Sequence, residues 1–298
     1  MTAALGPLLV GVDAGATKTV ALAVRPDGEV LGRSAGDGAN PKRHGLAVAA
    51  ERIAGLARAA AGGEVPALTF IAGAGIDLPQ HARALEREVG ARLAGGRVLA
   101  ANDTLAVLRC GAPQGVGLAV PVSTGGNVVG RGPDGQVTDR GHGIFGGGYV
   151  LGALAARAAR RGRVSPALAS AVADAGLAWV GRRPEPAAAG LGAVVAAAAA
   201  EGDAFAGRVV DRWCGRVSAA VREEVGRLGL GPQPTVIVYG GLLEASPWLG
   251  ARIRAAVLAG APGARFAPLE AEPVEGAALL ARDAWAGRFA AWDFAPRR

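Results

Sequence analysis

Two short stretches carry side chains suited to moving a phosphoryl group. The first is Gly11-Val-Asp-Ala-Gly-Ala-Thr-Lys-Thr19. A hairpin with Gly15, Thr17, Lys18 and Thr19 at its tip offers backbone N–H groups, hydroxyls and a cation to phosphate oxygens. Asp13, just before the tip, can hold a Mg²⁺ that keeps most of its waters. Strand rather than helix follows, which excludes a Walker loop and a dinucleotide fingerprint. The second stretch is Asn102-Asp103, where an apolar run ends and the helix TLAVLRC begins. A carboxylate there can accept a proton from a reacting hydroxyl, and it can equally cap the helix. Two further pieces are Ser123-Thr-Gly-Gly-Asn127 at the tip of a second hairpin and Gly240-Gly241 after a buried run. The first has the makings of a second phosphate loop or of a plain turn. In the second, missing side chains would let a flat base approach the backbone, or simply turn strand into helix.

The elements that must position these residues follow from apolar periodicity and turn chemistry. Leu8–Asp13, Thr19–Val24 and Glu29–Ser34 read as three consecutive strands, with Pro26-Asp27-Gly28 as the second connection. Leu46–Ala60 has helical spacing, Ala67–Ala72 is a buried strand, Gln80–Leu93 a helix, and Arg97–Ala100 a strand running into Asn102-Asp103. The pattern then restarts: Gly115–Pro121, Asn127–Gly130 and Gln136–Arg140 form strands around a second Pro-Asp-Gly turn, about 107 residues after the first. A mostly helical region follows from Tyr149 to about Glu224. Thr235–Tyr239 is a buried strand, and Trp248–Leu258 and Val274–Trp285 are helices. The organising expectation is an internally duplicated βββαβα unit.

Bulk properties fit this. The 298 residues allow two ordinary domains. With 51% hydrophobic, 19% charged and 4% aromatic residues, disorder is excluded and the core must be built from Ala, Val and Leu. The net charge of +7 comes almost wholly from Arg, since Lys18 and Lys42 are the only lysines. The arginines are scattered through helical stretches without aromatic interleaving, so no nucleic-acid partner is expected. Two cysteines, Cys110 and Cys214, exclude a disulfide scaffold and a zinc cluster. The N-terminus lacks a signal-peptide pattern, and Ala187–Ala200 is too short to span a bilayer. No membrane association and a cytoplasmic location are expected.

The order of the pieces carries a resemblance. DxGxTKT, then GxNP (Gly38–Pro41), an apolar GAGxD (Gly73–Asp77), ND, TGG and GG resemble the BadF/BadG-type ATPase and N-acetylglucosamine kinase family, within the actin-like superfamily of sugar kinases. The similarity covers about Leu8 to Ala286. It implies an α/β fold of two actin-like (ribonuclease H-like) domains of duplicated topology with an ATP cleft between them. The first would span residues 1–114, with a C-terminal helix from about 275 to 298 packed back on it. The second would span 115–274, with a helical insertion at about 149–224. The implied reaction is transfer of the γ-phosphate of MgATP to a hydroxyl of a hexose or amino sugar. Position by position, Asp13 matches the residue near the metal and Gly15, Thr17, Lys18 and Thr19 the first phosphate motif. Asn40 matches a contact to a sugar hydroxyl, with Gly75 and Asn127 also placed by the sugar. Asp103 matches the general base that also touches the sugar. Thr124, Gly125 and Gly126 match the second phosphate loop, and Gly240 and Gly241 the adenosine motif. Relatives are often dimers, so a homodimer is a further implication.

The chain departs from the family after the second hairpin. Where relatives carry a segment like GWGxLLGDEGSG, this chain reads Gly141-His-Gly-Ile-Phe-Gly-Gly-Gly-Tyr149, without the Asp and Glu that lie by the sugar. His142 is the polar residue that would take over a sugar contact, with a surface or packed histidine as the alternative. Two other functions therefore stay in view. One is a non-catalytic or weakly active ATP- and sugar-binding homologue. The other is an activator ATPase of the BadF type, which shares an iron–sulfur cluster through cysteines, although neither Cys110 nor Cys214 stands in a Gly-rich cluster loop.

Overall fold

The computed structural model describes residues 6–112, 114–139, 147–175 and 186–288. These divide into two compact units. One takes the residues up to Val116, Arg131–Val137 and those from Pro268 on; the other takes Gly117–Gly130 and Thr138–Ala267.

The first unit opens with β1 (Leu9–Ala14), β2 (Lys18–Val24) and β3 (Val30–Asp37). Helices α1 (Pro41–His44) and α2 (Leu46–Ala60), strand β4 (Leu68–Gly73), helix α3 (Pro79–Leu93), strand β5 (Arg97–Asn102) and helix α4 (Thr104–Gly111) follow. The sheet order is β3-β2-β1-β4-β5. The first three strands pair antiparallel, while β1, β4 and β5 run parallel. The sequence accounts for this arrangement. Apart from Asp13 and Thr69, β1 and β4 are apolar, as strands covered on both faces must be, and β4 is buried along its whole length. β3 carries Arg33, Ser34 and Asp37 and lies at the sheet edge, largely exposed. α2 turns Ala49, Ala50, Ile53, Ala54, Ala57 and Ala60 inward.

In the second unit come β6 (Gly117–Pro121), β7 (Val129–Arg131), β8 (Val137–Asp139), α5 (Gly147–Ala159), α6 (Pro166–Asp174), α7 (Pro186–Ala200) and α8 (Ala204–Arg227). β9 (Thr235–Tyr239), α9 (Gly241–Ala245), α10 (Pro247–Gly260) and β10 (Arg265–Phe266) complete it. Its sheet order is β10-β9-β6-β7-β8, with β6, β9 and β10 parallel. Leu118, Val120, Val236 and Val238 from the sheet meet Val210, Trp213, Val217 and Val221 from α8 and Leu249, Ile253 and Val257 from α10. The two-residue β10 and the short α1 and α9 carry too little periodicity to be read from sequence.

The last described helix, α11 (Pro273–Trp285), belongs to the first unit and packs on β1 and α4. Its approach depends on missing side chains. A Cβ at Gly11 would lie 2.1 Å from the backbone N of Ala278, and one at Gly276 would lie 2.0 Å from the carbonyl oxygen of Ala106. Among the described residues no single helix is long and apolar enough to cross a membrane.

Candidate active site

In the first unit, four loops at the carboxyl ends of β1, β3, β4 and β5 are tied to one another. The β1–β2 hairpin is closed by Gly15 N–H donating to Lys18 O at 3.0 Å, which leaves Thr17 and Lys18 exposed at the tip. The Gly38–Pro41 segment lies on this hairpin. Ala39 N–H donates to Gly15 O at 3.0 Å, and a Cβ on Gly38 would meet Ala16 O at 2.2 Å. The His44 ring adds an Nε2 contact to Ala16 O at 3.1 Å.

Asn40 is fixed by its own helix. Its Oδ1 accepts Lys42 N–H at 2.8 Å and so caps α1, whose first residue is Pro41. Gly75, with φ +87, comes so close that a Cβ there would lie 2.6 Å from Asn40 Oδ1. The next residue links onward: Asn102 Nδ2 donates to Ile76 O at 3.3 Å. Asn40, Gly75 and the Asn102-Asp103 turn thus form one connected surface.

At that turn the helix cap is Asn102 rather than Asp103. Asn102 Oδ1 accepts Thr104 N–H at 3.0 Å. Asp103 already has helical backbone angles (φ −58, ψ −30), and its side chain makes no capping hydrogen bond, because capping needs an extended residue. The Thr104 hydroxyl approaches the Asp103 carboxylate at 3.5 Å. Helix formation therefore does not account for this carboxylate.

Asp13 senses the same region. Burial pushes its carboxyl up to about 6, with the negative charges of Asp103 and Glu272 adding to the rise and Lys18 opposing it. Among the described residues no group of three or more His, Cys, Asp or Glu is arranged to hold a metal on protein ligands alone. A carboxylate crowded by other acids is nevertheless the environment a hard, mostly hydrated cation relieves, so Asp13 fits a Mg²⁺ bound through one protein oxygen.

In the second unit, Ser123 N–H donates to Gly125 O at 2.8 Å, closing the tip of the loop. The first N–H groups of α5 dock on this loop: Gly148 donates to Ser123 O at 2.8 Å and Tyr149 to Thr124 O at 2.9 Å. Ser123, Thr124 and Gly125 are exposed, whereas Gly126 is buried against Trp213. Gly240 has φ +126, and a Cβ there would meet Val122 O at 2.3 Å; around Gly241 there is open space. The pair thus divides the work, with one glycine making the turn and the other leaving backbone exposed.

Several expected roles change. Thr19 is fully buried and its hydroxyl has no hydrogen-bond partner, because on strand β2 its side chain points into the layer beneath; it is removed from the phosphate-binding set. Asn127 is 4% exposed, and its Oδ1 accepts Val128 N–H at 2.8 Å, so its carbonyl oxygen serves the backbone. His142 lies outside the described residues. Cys110 is held against α11, its thiol donating to Glu272 O at 3.3 Å. Burial pushes both cysteines up to about 11, the opposite of the thiolate that cluster ligation requires. No sequence motif marks Lys42. Its ammonium pairs with Asp77, a carboxylate only 3% exposed, directly after the Asn40 cap. The scarcity of lysine was the available signal.

No protein-family model matches the chain, and no curated protein matches its sequence. Solved structures do match. A "putative N-acetylglucosamine kinase" from Chromobacterium violaceum superposes with a TM-score of 0.63 at 23% identity, covering 92% of this chain and 99% of that one. A ROK family glucokinase from Streptomyces griseus, solved with glucose and AMPPNP, gives a TM-score of 0.55 at 20% identity over 93% and 99%. A ROK family transcriptional regulator gives 0.56 at 16% identity over 96% and 80%. Enzymes and a regulator share this architecture, so it does not decide the activity. At these identities the likeness establishes the architecture alone: the chain has the α/β fold of these structures.

Proposed function

We propose that the chain is an ATP-dependent sugar kinase that transfers the γ-phosphoryl group of ATP to a hydroxyl of a hexose or amino sugar of the N-acetylglucosamine or glucosamine kind. The observation that carries this reading is Asp103. Its carboxylate stands at a strand end, is not consumed by helix capping, and is near enough to Asp13 to raise that residue's pKa. Asp103 takes the proton of the attacking hydroxyl as oxygen bonds to the γ-phosphorus and the bond to the bridging oxygen of ADP breaks. Asn40 and Gly75 flank the acceptor sugar; Asn40 would use its amide Nδ2, since its Oδ1 is engaged in the cap.

Gly15, Thr17, Lys18, Thr124, Gly125 and Gly126 are assigned to the phosphates. Gly240 and Gly241 are assigned to adenosine. Mg²⁺ would be held at Asp13 and, when bound, neutralises phosphate charge. Phosphoryl transfer depends mainly on positioning and charge neutralisation, which suits a site of glycine-rich loops with few reactive side chains.

The reading extends to the lineage and the architecture. The motif order supports a member of the BadF/BadG and N-acetylglucosamine kinase family. The two sheets support a duplicated unit, since β1 in one and β6 in the other occupy the central place. The domain limits at residues 114 and 274 and a cytoplasmic homodimer belong to the same proposal.

The test is ATP consumption with glucose, mannose, glucosamine and N-acetylglucosamine as acceptors. Turnover with at least one of them supports the reading. ATP binding with no turnover across the panel replaces the kinase with a sugar or nucleotide sensor, the alternative suggested by the acids missing from Gly141–Tyr149.

A further inference from the structure

The Ser123–Gly126 loop rests on the side chain of Trp213 from α8, and both lie in the second unit. A Cβ on Gly126 would stand 3.5 Å from Trp213 Cζ2. Cζ2 and Nε1 are bonded to the same ring carbon, so the N–H side of the indole lies beside the loop. Trp213 is 5% exposed, and its Nε1 has no hydrogen-bond partner. The ring belongs to the same apolar core as Val210 and Val217, whose side chains offer it no acceptor. A buried indole N–H normally has a partner, and leaving one without is costly.

The loop backbone carries an acceptor to match. Ser123 O accepts Gly148 N–H at 2.8 Å, Thr124 O accepts Tyr149 N–H at 2.9 Å, and Gly125 O accepts Ser123 N–H at 2.8 Å. Gly126 faces Val122 across an isolated antiparallel bridge. The second hydrogen bond of that bridge is the longest in the loop, from Asn127 N–H to Pro121 O at 3.3 Å. In a pair of this kind the two facing residues do not bond each other, and among the described residues no N–H is donated to Gly126 O. A Cβ on Gly125 would meet nothing within 4 Å. Two consecutive glycines therefore let the peptide between Gly126 and Asn127 turn without a side chain to obstruct it.

We propose that Trp213 is a positioning residue for this loop: when nucleotide phosphates occupy it, the Gly126 carbonyl turns and takes the indole N–H. The inference rests on the assignment of the loop to the phosphates of ATP. Phosphate oxygens attract backbone N–H groups. In a trans peptide the N–H and the carbonyl point in opposite directions. As Asn127 N–H leaves Pro121 O for phosphate, Gly126 O swings the other way, toward the buried ring. Binding thus supplies a partner to a donor that the free protein leaves without one. Trp213 touches no phosphate and acts only through Gly126.

The test follows the proton–nitrogen correlation spectrum of the isotope-labelled full chain during titration with MgAMPPNP, alongside calorimetry of the same titration. The chain has five tryptophans, and Trp213→Phe identifies the Trp213 indole resonance by its loss. If that variant does not fold, Trp179→Phe, Trp248→Phe, Trp285→Phe and Trp292→Phe identify it by elimination. The expected result is a downfield shift of the Trp213 indole proton that saturates with nucleotide, and slower exchange of that proton with solvent. Trp213→Phe should bind AMPPNP about twofold to tenfold more weakly, the worth of one hydrogen bond, with sugar affinity unchanged. AMPPNP binding that leaves the Trp213 resonance in place overturns the inference and leaves the kinase reading standing. A Trp213→Phe variant with the nucleotide affinity of wild type does the same. Absence of AMPPNP binding to wild type overturns the assignment of the loop, and this inference with it.

Discussion

Asn102 accepts the N–H of Thr104 at 3.0 Å, so the side chain that ties off α4 belongs to the residue before Asp103. The two neighbours should therefore separate in a stability experiment. Asn102→Ala removes the cap and the link to Ile76, and should cost about 1 kcal/mol or more. Asp103→Ala removes no capping hydrogen bond and should cost less than Asn102→Ala. Urea denaturation of both variants measures this; a large loss for Asp103→Ala would return that residue to a structural role.

The carboxyl of Asp13 gives a pH signature. Burial, with the charges of Asp103 and Glu272, raises it from 3.8 to about 6. The folded state therefore binds more protons than the unfolded chain between these values. Its contribution to stability is full below 3.8 and is lost as the pH rises through about 6. The difference in melting temperature between wild type and Asp13→Asn should accordingly shift against wild type from pH 4 to pH 7. Mg²⁺ with ATP should reduce that penalty at pH 7. A difference independent of pH would contradict the assignment.

Gly240 and Gly241 should respond oppositely to alanine. At Gly240 the backbone has φ +126 and a Cβ would strike Val122 O at 2.3 Å, so Gly240→Ala should destabilise the protein by about 1–3 kcal/mol or more from backbone strain alone. Gly241 has open space around it; Gly241→Ala should fold as wild type and weaken ATP binding. Calorimetric melting and nucleotide titration of the pair check this.

Lys42 and Asp77 form the ion pair beside the Asn40 cap. Removing the ammonium leaves a buried carboxylate without that partner, which is destabilising, although Lys42 itself is 53% exposed and partly screened. Lys42→Met should lower stability by about 1–3 kcal/mol and raise KM for the sugar more than KM for ATP. Equal effects on both KM values would remove Lys42 from the sugar side.

What could be read from sequence depended on the range of the interaction. Helix Leu46–Ala60 and strand Thr235–Tyr239 were legible to the residue because periodicity and flanking turns are local signals. The helix begun at Pro41 was not legible, since four residues have no periodicity to reveal it. The burial of Thr19 was hidden, since its side in β2 is set by pairing with Ala14 and Gly36. Whether Asn102 or Asp103 capped α4 depended on backbone angles that composition does not encode. The contact between Gly126 and Trp213 and the convergence of Arg109, Arg131 and Asp283 join remote segments, and no local pattern reports them.

The most direct test of the account is sugar-dependent ATP turnover by wild type and Asp103→Asn, paired with ATP affinity for both. The account predicts turnover by wild type with at least one hexose or amino sugar. It predicts kcat lowered in Asp103→Asn by about 10²–10⁴-fold, the usual contribution of a general base, with ATP affinity unchanged. Substantial turnover by Asp103→Asn would contradict it.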